Sequence, residues 1–146
     1  MTRTIYILNG PNLNLLGARE PEIYGTQTLE DIREMCAARA DALGFAIAFH
    51  QTNNEGELVS LVQEASEQAA GLILNAAAYT HSSIALHDAL KSCTIPAIEV
   101  HLSNIFTRED FRHHSYVSPA VTGMICGLGG QGYLLALEAL ATWRKA

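Results

Sequence analysis

Short apolar runs along the chain alternate with stretches whose apolar residues recur every three or four positions. The runs predict β-strands at residues 4–8, 45–50, 71–75, 95–101 and 121–128. The stretches between the runs predict α-helices. This alternation is typical of an α/β domain that is built on a parallel sheet.

The first predicted helix has the clearest boundaries. Thr28 and Asp31 have the spacing of a capping box, an apolar helix face follows, and Gly44 ends the helix. Further helices are predicted at residues 58–69, 83–92 and 132–145. Because right-handed crossovers leave few topologies, the pattern predicts a flavodoxin-like, doubly wound sheet of five parallel strands with helices on both faces.

Composition limits the classes of function. The chain of 146 residues, 49% of them hydrophobic, suits a single catalytic domain over residues 1–146. It has no basic-then-apolar leader and no uncharged run of about 18 apolar residues, so we expect a cytoplasmic protein without a membrane span. A net charge of −6 argues against nucleic acid as a partner. Cys36, Cys93 and Cys126 form no disulfide or metal pattern and are expected to be reduced thiols.

The loop after the first predicted strand is the most unusual segment. Asn-Gly-Pro-Asn-Leu-Asn begins at residue 9, and Leu-Gly-Ala-Arg-Glu-Pro-Glu-Ile-Tyr-Gly ends at residue 25, which places Arg19 and Tyr24 among turn-forming residues. In parallel α/β sheets, ligands bind outside the carboxyl ends of the strands. We therefore expect residues 17–25 to form a lid over an active site.

Glu99 and His101 are a second candidate site. They alternate within the fourth predicted strand, so their side chains share a face of the sheet. The carboxylate can then orient one ring nitrogen while the other nitrogen contacts a leaving group. A lone histidine at a strand end is more often structural, but a Glu-x-His pair at the ligand-binding edge favours catalysis.

Three segments of the chain together resemble the type II 3-dehydroquinate dehydratases. They are the loop at residues 9–25, the segment Asn75-Ala-Ala-Ala-Tyr-Thr-His81-Ser-Ser-Ile-Ala-Leu-His-Asp88-Ala-Leu, and the segment from Glu99-Val-His-Leu-Ser-Asn104 to Arg108-Glu-Asp-Phe-Arg112. The length is also similar, so the resemblance covers essentially the whole chain. One departure is Ala76, where many relatives have proline, and it bears on the stiffness of that loop.

The resemblance implies a shikimate-pathway enzyme of aromatic amino-acid biosynthesis that converts 3-dehydroquinate to 3-dehydroshikimate and water. It implies that Tyr24 is the base and that Arg19 and Arg108 ionise it. His101, oriented by Glu99, would be the acid. Asn12 would hold a water molecule against the enolate intermediate. The resemblance also implies that no cofactor, metal ion or Schiff base takes part.

The resemblance also implies how a small anionic substrate is held. The matching substrate-binding residues are Asn75, His81, Asp88, Leu102, Ser103 and Arg112. Leu102 and Ser103 would bind the substrate carboxylate through backbone N–H groups, and Asp88 would come from a neighbouring subunit. The family forms dodecamers of four trimers, so we expect a homo-oligomer of that kind.

Two other motifs have less specific interpretations. Residues 127–132 satisfy G-x-G-x-x-G, but the chain ends before the further strand and acidic residue that a dinucleotide site needs. We interpret these glycines as close strand-to-helix packing. Lys91 lies late in a helix and Lys145 lies at the carboxyl terminus, so neither lysine stands at the end of a strand, where Schiff-base chemistry would need it.

Metal binding and signalling are further alternatives. The histidine pairs lack the spacing of helical zinc sites; they are His81 with His87 and His113 with His114. A flavodoxin-like phosphate receiver needs acidic residues after the first and third strands, where the chain has Asn9, Asn12 and Asn75. A flavin carrier of the same fold would purify yellow. A lyase that acts on another polyol acid stays open.

Overall fold

The structure, a computed structural model, describes residues 2–18, 22 and 25–143. Its strands are β1 (Arg3–Asn9), β2 (Phe45–Gln51), β3 (Gly71–Asn75), β4 (Ala97–His101) and β5 (Gly123–Cys126). Its α-helices are α1 (Leu29–Ala42), α2 (Glu55–Gln68), α3 (Ile84–Lys91) and α4 (Gln131–Thr142). All strand pairs are parallel, in the order β2-β1-β3-β4-β5. This is the flavodoxin-like order, so the predicted fold class is confirmed.

Helices cover both faces of the sheet, as the sequence predicts. Successive residues of β1 point to opposite faces: Ile5 and Ile7 pack with α1 and α4, whereas Tyr6 and Leu8 pack with α2 and α3. Strands that are buried on both faces have continuous apolar runs, which is why the strands were visible in the sequence. No helix in the described part of the chain has the length and apolar character needed to cross a bilayer.

Local signals place the first helix correctly. The Thr28 hydroxyl accepts a hydrogen bond from the Asp31 N–H, and the Asp31 carboxylate accepts one from the Thr28 N–H, each at 3.0 Å. The predicted capping box is therefore confirmed, and α1 ends at Ala42, just before Gly44. Each reciprocal bond satisfies a backbone donor that the first turn of a helix leaves without a partner.

The last two strands are shorter than predicted. The chain before β4 contains Pro96, which has no N–H to donate to a sheet ladder, so β4 begins at Ala97 rather than at residue 95. Before β5, Ser118–Ala120 form a turn of 3-10 helix. After β5, Gly127 has a φ of 90°, which lies outside the range of a strand, so the strand ends at Cys126 rather than at residue 128.

The last helix packs closely on the sheet. A Cβ atom at Gly132 would lie 3.3 Å from the Val100 side chain and 3.4 Å from the Ile125 side chain, so glycine lets α4 lie against β4 and β5 without a shift of Val100. This contact supports the packing interpretation of the G-x-G-x-x-G motif. The helix ends at Thr142, and residues 144 and 145 of the predicted helix lie outside the described part.

The three cysteines are free thiols. Cys36 lies on the buried face of α1, and burial raises the pKa of its thiol to about 12. Cys93 and Cys126 are only partly buried. The expectation of packed, reduced thiols is thus met most fully by Cys36.

Candidate active site

A cavity of about 210 Å³ lies at the carboxyl ends of β1, β3 and β4. The loop after β1 forms one wall, the segment after β3 forms a second, and the segment after β4 forms a third. The chain reverses its strand order between β1 and β3, and ligands of doubly wound sheets bind at such a switch point. The cavity brings together eight of the predicted site residues, namely Asn12, Asn75, His81, His101, Leu102, Ser103, Arg108 and Arg112.

Glu99 and His101 form a buried pair at the end of β4. Nε2 of His101 lies 2.5 Å from Oε2 of Glu99, and the two side chains are 6% and 0% exposed. Alternation along the strand places both side chains on one face, as predicted. Since Nε2 contacts the carboxylate, Nδ1 is the ring nitrogen left for a ligand in the cavity that His101 lines.

Two serine hydroxyls also contact the Glu99 carboxylate. Ser115 lies 3.2 Å from Oε2, and Ser118 is hydrogen-bonded to Oε1. Both serines belong to the irregular segment that leads into β5. A carboxylate without exposure to solvent needs such donors, because burying an uncompensated charge is costly.

Asn75 is held by a buried hydrogen-bond network. Its Nδ2 donates to the Tyr133 hydroxyl at 2.9 Å, and that hydroxyl donates to Oδ1 of Asn9 at 2.6 Å. Oδ1 of Asn75 accepts from the Ala77 N–H at 3.2 Å, and Nδ2 of Asn9 donates to the His50 carbonyl at 3.0 Å. Burial raises the pKa of Tyr133, so its phenol stays neutral. The network fixes which way the Asn75 amide faces at the cavity.

We expect Tyr133→Phe to lower the free energy of unfolding by about 1 to 3 kcal/mol, because the change leaves buried amide atoms of Asn9 and Asn75 without a partner. Urea denaturation at one protein concentration measures this loss. Tyr79→Phe is the matched control, since the Tyr79 hydroxyl donates to the exposed Asn53 carbonyl at 2.7 Å and water can replace it. Equal losses in both variants would contradict the role given to the network.

The loop after β1 approaches the cavity through an unusual backbone. Asn12 has a φ of 69°, in the left-handed region that asparagine tolerates better than most residues. Its N–H donates to the Asn53 side chain at 3.0 Å, and its own side chain is exposed at the cavity. Gly10 lies against the segment after β3, where a Cβ atom would be 2.4 Å from the Ala76 carbonyl oxygen, so the close approach requires glycine.

Ala76 keeps the backbone that a proline would impose. Its φ is −76°, within the range of a proline ring, and the residue is fully buried. The φ angle of Ala76 is therefore one that a proline could also adopt. The proline-free loop still presents Asn75 and His81 to the cavity.

His81 is oriented as a hydrogen-bond acceptor. Its Nδ1 lies 2.8 Å from the His114 carbonyl, which can only accept, so Nδ1 carries the hydrogen. Burial lowers the pKa of His81, and the nearby His101 and Arg112 lower it further. The ring is therefore neutral near pH 7, and Nε2 is left as an acceptor. The rings of His81 and His101 stack with centroids 6.4 Å apart.

The cavity is positively charged. Arg108 and Arg112 line it, and no carboxylate does so among the residues that the structure describes. Nε of Arg112 donates to Glu109 at 2.6 Å, outside the cavity lining. Leu102 and Ser103 complete this wall just after β4. Such a cavity suits a small anion that carries hydroxyl groups, because the lining offers both cations and neutral polar groups.

The predicted base and its partner lie in a part of the chain without a described structure. Arg19 and Tyr24 are outside residues 2–18, 22 and 25–143. The neighbouring residues Glu22 and Gly25 line a second cavity, of about 730 Å³. That cavity shares Leu102, Ser103 and Arg108 with the first, so the chain on both sides of Tyr24 borders the site.

Asp88 stands apart from this site. It lies on α3, is exposed, and is not among the described residues that line the cavity of its own chain.

Within residues 2–18, 22 and 25–143, no group of three or more His, Cys, Asp or Glu side chains could hold a metal ion.

Four polar residues of the site escaped sequence reasoning: Asn9, Ser115, Ser118 and Tyr133. Tyr133 and Asn9 are 124 positions apart, and Ser118 is 19 positions from Glu99. Asn9 had a weak signal, since it ends the first predicted strand. A tyrosine on an apolar helix face and two serines in a loop give no signal of this kind.

Comparisons with known proteins agree over nearly the whole chain. The family model described as Dehydroquinase class II matches residues 3–141. A 3-dehydroquinate dehydratase of Sinorhizobium medicae is 58% identical over 96% of this chain and 95% of its own length. One of Acidovorax ebreus is 53% identical over 98% and 100%. The crystal structure of type II dehydroquinase from Propionibacterium acnes is 46% identical, with a TM-score of 0.94 over 98% of this chain and 99% of that one.

Proposed function

The chain belongs to the class II dehydroquinase family and is a hydro-lyase of the 3-dehydroquinate dehydratase type, and from this premise we propose that it converts 3-dehydroquinate to 3-dehydroshikimate and water through an enolate. The observation that carries the proposal is the buried Glu99–His101 pair at a cavity lined by Arg108 and Arg112. The reaction removes a proton beside a ketone and a hydroxyl one carbon further on. It therefore needs a base, an enolate stabiliser and an acid.

Tyr24 is the proposed base. A free phenol has a pKa of about 10, so it is almost wholly protonated at neutral pH. Lowering that pKa by about 2 to 3 requires roughly 3 to 4 kcal/mol, and one cation at about 4 Å supplies about 4 kcal/mol at an effective dielectric of about 20. Arg19 and Arg108 are the proposed cations, because arginine keeps its charge where a lysine would lose its proton. The position of Glu22 and Gly25 beside Arg108 supports this assignment.

His101 is the proposed acid. Glu99 accepts from Nε2, so a protonated ring presents its Nδ1–H to the leaving hydroxyl. The two groups act in sequence: the tyrosinate first removes the carbon-bound proton, and the imidazolium then protonates the departing oxygen. No step needs a metal ion or an organic cofactor.

Asn12 is the proposed stabiliser of the enolate. Its left-handed backbone is fixed by the Asn53 bond to its N–H, and its exposed side chain lines the cavity. A water molecule held by the Asn12 amide would donate to the developing oxyanion. A neutral donor placed before the reaction begins costs no reorganisation when the charge forms.

The remaining residues of the cavity would hold the substrate. Leu102 and Ser103 follow β4 and would bind the carboxylate through backbone N–H groups and the Ser103 hydroxyl. Neutral His81 offers Nε2 as an acceptor, and Asn75 is oriented by its network, so both suit ring hydroxyls. Arg112 would donate to the same hydroxyls. A site built to pair several hydroxyls rejects analogues that lack them.

Asp88 would complete the site of a neighbouring copy. It is exposed on α3 and does not line its own cavity in the described part of the chain. We propose a homo-oligomer, a dodecamer of four trimers, in which one chain's Asp88 reaches the next chain's cavity. A fully active monomer in solution would contradict this arrangement.

We expect the purified chain to form the conjugated enone product from 3-dehydroquinate, and we expect this activity to survive borohydride. Borohydride reduces an imine between a lysine and a ketone. Lys91, the lysine in the described part of the chain, ends α3 and lines a pocket with Ala97 and Thr122. That pocket lies at the amino ends of β4 and β5, whereas the candidate active site lies at the carboxyl ends of the strands. The measurement is enone absorbance before and after reduction in the presence of substrate, with a Schiff-base aldolase as positive control. Loss of activity in both enzymes would refute the proposed chemistry.

A further inference from the structure

Three hydrogen-bond donors converge on one fully buried carboxylate. Oε2 of Glu99 contacts both His101 Nε2, at 2.5 Å, and Ser115 Oγ, at 3.2 Å, and Oε1 contacts Ser118 Oγ. Glu99 itself has no exposure to solvent. The role proposed for His101 uses only the first contact, and the two serines have no part in it so far.

The neighbours of Ser115 show where its hydrogen points. Ser115 Oγ accepts the Val117 N–H at 3.1 Å and the Ser118 N–H at 2.9 Å. With both lone pairs occupied, the hydroxyl can only donate, and Glu99 is the acceptor beside it. Ser118 Oγ has Glu99 and, at 3.5 Å, the Met124 sulfur as neighbours, and the carboxylate is the stronger acceptor.

Two histidines hold this serine segment in place. Nδ1 of His81 donates to the His114 carbonyl at 2.8 Å, and Nδ1 of His87 donates to the Tyr116 carbonyl at 2.7 Å. The Tyr116 N–H donates back to the Thr80 carbonyl at 2.9 Å. The backbone on both sides of Ser115 is thus tied to the segment that follows β3, so its hydroxyl has a fixed position against Glu99.

We propose that Ser115 and Ser118 are positioning residues, which favour the ionised form of Glu99 and so keep the shared proton on Nε2 of His101. The inference rests on the proposed function. Hydrogen bonds donated to a carboxylate favour its charged form, so Glu99 orients the imidazole without taking its proton. Without the two serines, the proton between Nε2 of His101 and Glu99 shifts toward the carboxylate. The imidazole ring then loses the positive charge that it needs as an acid.

This assignment specifies the second half of the reaction. The C–O bond breaks, and its electron pair leaves with the oxygen, while the enolate electrons form the new C=C bond and restore the ketone. Nδ1 of His101 gives its proton to the departing oxygen, which makes water. The ring is then neutral and still donates from Nε2 to ionised Glu99. The proton that is consumed never passes through the carboxylate.

Ser118→Ala tests the inference, because it removes one donor and leaves the backbone turn at Ser115 intact. We expect kcat for dehydration to fall on the order of tenfold, the usual effect of one hydrogen bond to a charged group. KM and the exchange of the substrate's acidic proton with solvent should stay close to wild type, since both precede the acid step. Ser118→Thr keeps the hydroxyl and should recover most of the turnover.

The matched control is Ser66→Ala. Ser66 is also partly buried, and its Oγ accepts a backbone N–H, from Thr94 at 3.1 Å, but it does not line the cavity. Its kcat should equal that of wild type. The decisive comparison is Ser118→Ala in a Glu99→Gln background, where we expect almost no further loss because the serine acts through Glu99. Equal losses in both backgrounds, a changed KM with unchanged kcat, or wild-type turnover in Ser118→Ala would overturn the inference.

A measurement without substrate separates this inference from the proposed function. The ¹⁵N shifts of the His101 ring report which nitrogen carries hydrogen in the resting protein. We expect hydrogen on Nε2 in the wild type and a shift of that signal in the Ser115→Ala, Ser118→Ala double variant. Unchanged shifts in the double variant would overturn the inference. A wild-type chain with Nε2–H but without dehydration of 3-dehydroquinate would instead refute the proposed function.

Discussion

Tyr24→Phe should reduce kcat by about 10²- to 10⁴-fold, the range that a positioned general base contributes. The substitution removes one oxygen atom and keeps the ring, so the fold and KM should stay close to those of the wild type. Steady-state kinetics with 3-dehydroquinate measure both constants, and circular dichroism checks the fold. We expect the loss in kcat itself because the phenolate acts on the bound substrate.

Tyr79→Phe is the control for this experiment as well. Tyr79 belongs to the segment after β3 that also carries His81, but its hydroxyl donates to the Asn53 carbonyl and does not line the cavity. It should turn over 3-dehydroquinate at the wild-type rate. Near wild-type kcat in Tyr24→Phe would exclude Tyr24 as the base and leave the first step to another group.

His101→Ala should separate the two halves of the reaction. The acid acts after the enolate forms, so dehydration should fall by about 10²- to 10⁴-fold while exchange of the proton beside the ketone falls far less. Incubation of the substrate in heavy water gives both rates from one sample. His50→Ala is the control, because His50 lies at the end of β2, with its ring centroid 5.9 Å from that of Tyr6, and does not line the cavity.

A parallel fall in both rates would contradict the stepwise assignment. It would mean either that loss of the hydroxyl accompanies proton abstraction or that His101 acts on the first step. Glu99→Gln should resemble His101→Ala in kind, since the amide cannot supply the charge that Nε2 contacts in the wild type.

The fold was predictable where local chemistry decides it. The capping box of Thr28 and Asp31 marks the start of α1. The continuous apolar runs mark the strands that are buried in the sheet. The ends of β4 and β5 were predicted less well. Pro96 has no N–H for one ladder, and Gly127, with a φ of 90°, turns the chain away from the other. The residue at which each pairing stops also depends on the neighbouring strand, which a local window of sequence does not contain.

The site residues also divide into contacts that the local sequence predicts and contacts that it does not. The Glu99–His101 contact follows from the two-residue period of a strand, so the sequence predicts it directly. The contacts that orient these residues do not follow from any period. Ser118 reaches Glu99 from an irregular segment, and Tyr133 on the last helix, α4, reaches Asn9 at the end of the first strand. Only the folded arrangement reveals these two contacts.

The most direct test of the account is the proton spectrum of 3-dehydroquinate incubated with the purified wild-type chain. We predict that the vinyl proton of 3-dehydroshikimate appears at a rate proportional to enzyme concentration, and that it fails to appear at that rate with Tyr24→Phe. A folded wild-type chain that leaves 3-dehydroquinate unchanged over the same time would contradict the account.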